Sequence, residues 1–270
     1  MKKYAVQEKS RGVVLFAFNT KIDYVEIARR SAKIIHKILA LPVTLVTDTE
    51  INSPEFDQVI LVDNTLENYK VGQPGSWRNG DRYRAYELSP YDETLLIDSD
   101  CLTLDTNLLT LFEQDFDYRI MTDCHTLDHG PWGTSMGTYS LPFQWATIVM
   151  FKRTEKSKML FDLVGRVQRN YGYYLKLYHI NYSSFRNDYA FTIANNMLNG
   201  YSLNMDQGIP WSVLTLNNPV KSIGLANNLM TIKEKDKAYV IPQQTLHILD
   251  KEYLLTDNFA NFVDLICLQD

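Results

Sequence analysis

The sequence has only three cysteines, Cys101, Cys124 and Cys267, among its 270 residues, and no two of them form a Cys-x-x-Cys pair. A disulfide framework or a structural zinc site needs more cysteines at closer spacing. Neither is therefore expected to hold this fold together, and a reducing compartment is favoured.

Positive charge and long apolar runs at the N-terminus are also lacking. The formal net charge is −5 at pH 7, whereas proteins that bind duplex nucleic acid usually carry a basic domain or stripe. The first twelve residues, MKKYAVQEKSRG, are polar and contain neither a signal-peptide core nor a membrane span. We expect a cytoplasmic protein without a membrane span, for which a nucleic-acid partner is not favoured.

The first half of the chain alternates apolar runs with a helical pattern. Residues 13–18 predict a buried strand, and residues 43–47 and 59–62 predict two more, each followed by an aspartate. Between the first two strands, apolar residues recur at helical spacing up to Pro42: Ile22, Val25, Ala28, Ala32, Ile35 and Leu39. The order strand, helix, strand predicts an α/β fold with a mostly parallel central sheet flanked by helices.

Shorter patterns predict the remaining elements. They are a helical stretch at residues 83–88, strands at 94–97, 118–122 and 145–151, and helices at 157–178, 188–198 and 258–268. The stretch HTLDHGPWGTSMGTYS predicts a long loop over a site, and the residues after Gly200 show little periodicity. Without repeats or linkers, residues 1–270 are expected to form a single domain.

Polar residues that follow the predicted strands are the first candidates for a site, because ligands of parallel α/β sheets bind beyond the carboxyl ends of the strands. Asn19, Asp48, Asp63 and Asp98 occupy such positions. Aspartate also terminates strands and caps helices without contacting a ligand. That explanation is favoured for Asp63, whereas both remain open for Asp48.

The tripeptide Asp98-Ser99-Asp100 is the strongest candidate. A second D-x-D, formed by Asp115 and Asp117, shows that the tripeptide alone means little, but only the first copy follows a buried strand. The second copy is expected at the surface. Two carboxylates this close repel each other, and Mg²⁺ or Mn²⁺ shared with substrate phosphates would remove the repulsion. The first copy therefore predicts a metal site for a diphosphate substrate.

Residues 81–100, DRYRAYELSPYDETLLIDSD, resemble the donor-binding stretch of GT-A glycosyltransferases, especially the glycogenin-like and bacterial galactosyltransferase-like retaining group. The resemblance implies a GT-A (Rossmann-like) fold, a UDP-type donor and transfer with retention. It implies a nucleotide-sugar-binding half up to about residue 125, followed by an acceptor-binding half. Arg82 takes the place of a lysine that contacts the donor phosphates, and arginine can bind phosphate in bidentate fashion.

Three further motifs, FAFNTKIDYVEIA, FQWATIVMFKRTEK and SFRNDYAFTIA, resemble a phage-borne set of uncharacterised GT-A-like proteins. This second resemblance implies a phage origin and hence the cytoplasm of a host cell. It supports the fold more than any particular substrate.

A histidine and a lysine near the C-terminus complete the implied metal site. In the glycogenin-like group, a late histidine followed by a glycine and a lysine binds the metal and the diphosphate, so His247 and Lys251 are similar candidates. Here the spacing is shorter and the glycine is absent. A lone histidine between apolar residues is otherwise a packed or surface residue. His125 and His129 are weaker alternatives.

Asn187 and Asp188 begin a predicted helix and resemble the Asp-Gln position beneath the sugar in retaining members. They are the candidate catalytic residues, although an inverting enzyme would use such a carboxylate as general base, and either residue could simply cap the helix. Trp145 and the tyrosine-rich run YGYYLKLYHINYSSF could stack on a sugar or base, or pack in the core.

Together, the residues and the resemblance predict a metal-dependent hexosyltransferase with a nucleotide-sugar donor and a hydroxyl acceptor. Asp98, Asp100 and His247 would bind Mn²⁺ or Mg²⁺. The donor would contact Phe18, Asn19, Asp48, Arg82, Ser99 and Lys251. A glycan is the default acceptor, and a hydroxymethylated pyrimidine of phage DNA is an open alternative.

Two other functions remain open. A sugar-1-phosphate nucleotidyltransferase is less favoured, because residues 19–23 lack the glycines of a triphosphate-binding loop. A non-catalytic module that binds nucleotide sugars is the third hypothesis.

Overall fold

A computed structural model describes residues 9–63, 69–70, 73–74, 80–128, 130, 135–136, 141–181, 184–202 and 207–268. The α-helices are α1 (Tyr24–Leu39), α2 (Ala85–Leu88), α3 (Glu155–Arg169), α4 (Tyr171–Leu177), α5 (Asn187–Leu198) and α6 (Asp257–Leu268). Short 3₁₀ helices lie at Gly80–Arg84, Asn107–Glu113 and Tyr253–Leu255. Within these ranges, no helix is both long enough and apolar enough to cross a membrane.

The strands are short, and most belong to three sheets. They are β1 (Arg11–Phe16), β2 (Val43–Thr47), β3 (Gln58–Leu61), β4 (Tyr69–Lys70), β5 (Gln73–Pro74), β6 (Glu93–Ile97), β7 (Cys101–Leu102), β8 (Tyr118–Met121), β9 (Cys124–His125), β10 (Ser135–Met136), β11 (Leu141–Pro142), β12 (Trp145–Lys152), β13 (Val213–Leu216), β14 (Val220–Ala226), β15 (Leu229–Glu234), β16 (Lys237–Pro242) and β17 (Leu246–Ile248).

The central sheet has the strand order β3-β2-β1-β6-β12-β8. β1 pairs in parallel with β2 and β6, and β2 pairs in parallel with β3, whereas β12 is antiparallel to both of its neighbours. The predicted α/β fold with a mostly parallel sheet is therefore confirmed.

Helix α1 connects β1 to β2 and has clear signals at both ends. Asp23 accepts a hydrogen bond from the backbone N–H of Glu26, so its side chain caps the first turn. Ala40 adopts a left-handed conformation, with φ of 51°, and ends the helix before Pro42. The opening strand, helix and strand thus form as the sequence predicts.

Two hydrophobic clusters meet at α1. Ala28 and Ile35 belong to the cluster that fills the central sheet and includes residues of α3 and α5. Ile27 and Ile34 belong to a second cluster, which β13, β15, β17 and α6 share. The same helix therefore packs against the central sheet and against the elements built from the last quarter of the chain.

The residues after Gly200 contain five strands that the sequence analysis did not predict. β7, β17, β13 and β9 form a four-stranded sheet in that order, and β14, β15 and β16 form an antiparallel meander. Asn227 and Asn228 join β14 to β15 with φ of 52° and 60°. An Asn-Asn pair between apolar stretches favours such a hairpin turn, so this pattern could have predicted it.

One helix boundary also differs from the prediction. The helical segment expected at residues 157–178 is two helices, α3 and α4, which meet at Asn170. The backbone N–H of Asn170 bonds the carbonyls of Arg166 and Val167, which closes α3 before α4 begins.

Candidate metal centre

Asp98 and Asp100 lie just after the carboxyl end of β6, in the connection to β7. The backbone N–H of Asp98 donates to the carbonyl of Thr147 at 2.9 Å, and the N–H of Cys101 donates to the carbonyl of Asp98 at 2.9 Å. The second of these bonds closes a tight turn that leads from β6 into β7, and the first ties its start to β12. Asp98 and Asp100 are therefore both held in this turn.

Strand pairing brings His247 to the same place. His247 of β17 lies opposite Cys101 of β7, and the N–H of Ile248 donates to the carbonyl of Asp100 at 3.0 Å. The Nε2 atom of His247 is consequently 3.7 Å from Oδ1 of Asp100. One potential ligand atom from each of Asp98, Asp100 and His247 lies within 4.8 Å of the others.

These three residues fit a divalent cation. Oδ1 of Asp100, the oxygen that faces Nε2 of His247, is buried and has no hydrogen-bond partner among the described residues. A buried polar atom without a partner is costly, and such atoms are few in folded proteins. Carboxylate oxygens and a neutral imidazole nitrogen are also ligand types that divalent cations accept.

The titration of the three groups follows from their burial and neighbours. Burial raises the pKa of Asp98 to about 7, although Arg82 acts in the opposite direction. Burial also acts to raise the pKa of Asp100, but the charge and the hydrogen bond of Lys251 act against it, and that pKa lies below its ordinary value. Burial lowers the pKa of His247, which keeps the imidazole neutral and able to bind a metal.

Lys251 and Arg82 each pair with one of the two carboxylates. The guanidinium of Arg82 donates from Nη1 to Oδ1 of Asp98, and the Arg82 side chain is only 2% exposed. The ammonium of Lys251 contacts Oδ2 of Asp100 and donates to the carbonyl of Ile248 at 2.9 Å. Both cations that the sequence predicts to bind the donor therefore lie at the candidate metal centre.

Asp188 lies near the same centre, in the first turn of α5. Its Oδ1 accepts from the N–H of Ala146 at 2.9 Å, and its Oδ2 accepts from Nη2 of Arg186 at 2.8 Å. The charge of Asp188 acts to raise the pKa values of both Asp98 and His247. The capping interpretation does not hold for Asp188, because Arg186 is the N-cap residue and Asp188 is bonded to β12.

The residues expected around the nucleoside lie at the ends of β1 and β2. Phe18 is buried, and Oδ1 of Asn19 accepts from the N–H of Val25 at 2.9 Å. Oδ1 of Asp48 accepts from the hydroxyl of Thr49 at 3.3 Å. Ser99 and Asn187 are buried. Contact of these residues with a nucleotide sugar stays a prediction.

Several residues named in the sequence analysis lie elsewhere. Asp63 and Asp115 are exposed, and Asp117 is partly buried outside the metal cluster. His125 bonds Ser212 through Nδ1 at 2.7 Å, while His129 lies outside the described residues.

Trp145 and three of the tyrosines, Tyr171, Tyr174 and Tyr178, are core residues. Trp145 is 4% exposed and packs edge-on against Phe143. Tyr171 and Tyr174 of α4 are buried, whereas Tyr173 is exposed. For these buried rings the packing interpretation is confirmed.

Two further residues lie near the centre and were not predicted from the sequence: Tyr24, and Arg186, which pairs with Asp188. Burial raises the pKa of Tyr24, and the charges of Lys251, Asp100 and Asp98 act on it. Tyr24 follows the α1 cap at the carboxyl end of β1, a position that could have been examined with Asn19. Arg186 stands two residues before Asp188, but sequence alone gives no reason for their side chains to pair.

No protein-family model matches this chain, and no match is found among curated proteins. Among solved structures, the chain is similar to the apo form of the glycosyltransferase GlyE of Streptococcus pneumoniae TIGR4, with 15% identity and a TM-score of 0.43. That match covers 74% of this chain and 45% of GlyE.

Two other solved structures are similar at comparable levels. Apo WbbM, a bifunctional glycosyltransferase, has 14% identity and a TM-score of 0.44 over 80% of this chain and 41% of that one. The galactosyltransferase LgtC, in complex with donor and acceptor sugar analogs, has 13% identity and a TM-score of 0.46. That match covers 69% of this chain and 70% of the LgtC chain. The chain thus spans less than half the length of the GlyE and WbbM chains.

Proposed function

We propose that this chain is a metal-dependent glycosyltransferase that transfers a hexose from a UDP-type nucleotide sugar to a hydroxyl acceptor. The observation that carries the proposal is the cluster of Asp98, Asp100 and His247, whose ligand atoms lie within 4.8 Å of one another. The cluster stands beyond the carboxyl end of β6, where ligands of parallel α/β sheets bind. Mn²⁺ or Mg²⁺ held there would neutralise the charge that develops on a leaving diphosphate.

The surrounding cations suit an anionic substrate. Arg82 keeps Asp98 oriented through their hydrogen bond, and its charge favours phosphate oxygens nearby. Lys251 is partly exposed, at 19%, and supplies a second charge on the Asp100 side. Both residues would therefore stabilise the diphosphate of the donor.

Asp188 is the proposed catalytic residue, with Asn187 beside it. Its carboxylate is held by the backbone of β12 and by Arg186, so it presents a fixed negative charge near the metal ligands. In a retaining transfer this charge would stabilise the positive charge that develops on the sugar; in an inverting transfer it would accept the acceptor's proton. We propose retention and a glycan acceptor.

Donor hydrolysis tests the proposed function. The protein is incubated with Mn²⁺ and a panel of UDP- and GDP-sugars, and released nucleoside diphosphate is measured. We expect release from a UDP-sugar by the wild type, loss with Asp100→Asn, and no change with Asp115→Asn. The latter variant removes an exposed carboxylate from the second D-x-D and so controls for charge loss.

Two results would contradict the proposal. One is the absence of any sugar-nucleotide binding or hydrolysis together with an Asp100→Asn variant that behaves like the wild type. The other is pyrophosphate release from a nucleoside triphosphate and a sugar 1-phosphate, which would identify a nucleotidyltransferase.

A further inference from the structure

The three carboxylates around the metal centre each have a separate cation. Arg82 binds Asp98, Lys251 binds Asp100 and Arg186 binds Asp188. When all six groups are charged, the cluster is neutral before any metal or diphosphate arrives. A divalent cation adds two positive charges, and a diphosphate group bound beside it adds compensating negative ones.

Lys251 is the cation that the metal would encounter directly. Its ammonium contacts Oδ2 of Asp100, while Oδ1 of the same carboxylate faces His247. Arg82 also contacts a metal ligand, but it is 2% exposed and enclosed by protein, whereas Lys251 is 19% exposed. A lysine ammonium is a compact charge on a flexible stem, so Lys251 can leave by rotating its side chain.

The backbone beneath Lys251 is anchored. The preceding residue, Asp250, accepts from the N–H of Val220 at 2.9 Å through Oδ2 and from the N–H of Tyr253 at 3.1 Å through Oδ1. These bonds tie the segment after β17 to β14 and to the following 3₁₀ helix. The main chain at this position is therefore held by contacts that do not involve the Lys251 ammonium.

We propose that Lys251 is the resident counter-cation of Asp100, that metal entry displaces it, and that the displaced ammonium then binds the diphosphate. This inference rests on the proposed function and adds an energetic link between two ligands. Metal and diphosphate binding are coupled through Lys251, because each ligand favours the same displaced position of one side chain.

Metal binding measured without turnover tests this coupling. Mn²⁺ affinity is determined by calorimetry for the wild type, Lys251→Met, Lys251→Arg and Lys221→Met, with and without UDP. Lys221 pairs with Asp236 at 3.0 Å on the surface and is the matched control. Thermal unfolding of each variant confirms that it is folded.

Without UDP, Lys251→Met is expected to bind Mn²⁺ about 10-fold more tightly than the wild type, within the range of ordinary coupling between sites. The increase in Mn²⁺ affinity that UDP produces should be smaller in Lys251→Met than in the wild type. Lys251→Arg, which keeps the charge, should retain weak Mn²⁺ binding, and Lys221→Met should match the wild type.

The possible failures are distinguishable. If the wild type binds Mn²⁺ and UDP but Lys251→Met binds Mn²⁺ no more tightly, the coupling is wrong and the proposed function stands. If UDP strengthens Mn²⁺ binding equally in both proteins, the coupling is also wrong. If the wild type binds neither Mn²⁺ nor UDP, the proposed function fails, and this inference fails with it.

Discussion

His247 lies 3.7 Å from Asp100, measured from Nε2 to Oδ1, although the two residues are far apart in the sequence. The pairing of β17 with β7 produces this distance, because it sets His247 opposite Cys101, the residue after Asp100. The proposed third metal ligand is thus positioned by the pairing of the three-residue strand β17 with the two-residue strand β7.

Replacement of His247 should weaken metal binding. We expect His247→Ala to lower Mn²⁺ affinity by more than about 10-fold, because loss of a residue that merely supports a ligand already costs about 10- to 100-fold. His125→Ala should leave the affinity unchanged, since His125 of β9 bonds Ser212 and is not part of the cluster of Asp98, Asp100 and His247. The affinities are measured by calorimetry. Equal Mn²⁺ affinity of the His247 variant and the wild type would show that His247 is not a metal ligand.

Metal affinity should depend on pH through Asp98. The pKa of Asp98 is raised to about 7 in the metal-free protein, so its carboxyl binds a proton below that pH and must lose it to bind a cation. Mn²⁺ affinity should fall about 10-fold between pH 8 and pH 6, with most of the fall below pH 7, and level off above pH 8. The lowered pKa of His247 favours its neutral form, which is the form that binds a metal.

Calorimetric titrations at pH 6, 7 and 8 measure this dependence. Asp98→Asn should bind Mn²⁺ weakly and with a flatter pH profile, because it has no carboxyl to titrate. Unchanged affinity of the wild type from pH 6 to pH 8 would show that Asp98 is already ionised throughout.

Asp188 should affect turnover rather than metal binding. Asp188→Asn keeps an oxygen for the N–H of Ala146 but loses the charge, and we expect kcat to fall by at least about 100-fold, as for other charge-stabilising groups. Mn²⁺ affinity should change less than about threefold, since Asp188 is not one of the three ligands. Asp162→Asn, on the exposed side of α3, is the control. If Mn²⁺ affinity fell by the same factor as kcat, Asp188 would instead be identified as a metal ligand.

The early part of the fold could be predicted because each of its elements carries its own pattern. The strand at residues 43–47 has the predicted bounds, and α1 ends before Pro42 as expected. Asp98 and Asp100 could be chosen over Asp115 and Asp117 because only the first pair follows a buried apolar run. Each of these predictions depends only on residues that are close together in the sequence.

The later part could not be predicted in the same way. β13 and β17 are three or four residues long and gain their stability from partners distant in the chain, including β7 and β9. Short strands of this kind have little periodicity of their own. The pairing of Arg82 with Asp98 and of Lys251 with Asp100 likewise depends on tertiary structure, so sequence predicted a site for these residues but not their partners.

Replacement of Gly12 tests the packing of Tyr91 against β1 of the central sheet. A Cβ atom at this position of β1 would overlap the ring of Tyr91, whose hydroxyl bonds Oγ1 of Thr44 at 2.9 Å. Gly12→Ala should lower the free energy of unfolding by about 1–3 kcal/mol, the usual cost of overpacking a core.

Gly224→Ala is the matched control for this change, because a Cβ at that position of β14 meets open space. It should change the free energy of unfolding by less than about 0.5 kcal/mol. Urea denaturation of both variants makes the comparison, and equal stability of the two would contradict the described packing of Tyr91 against β1.

The position of a bound cation shows whether Asp98, Asp100 and His247 form the metal site. Crystals of the protein grown with Mn²⁺ and UDP are measured at a wavelength where manganese scatters anomalously. We expect one strong anomalous peak between the carboxylates of Asp98 and Asp100 and the imidazole of His247. The diphosphate oxygens should complete the coordination, and the Lys251 ammonium should have moved from Asp100 to the diphosphate. A peak at Asp115 and Asp117, or diphosphate bound away from Asp98 and Asp100, would contradict it.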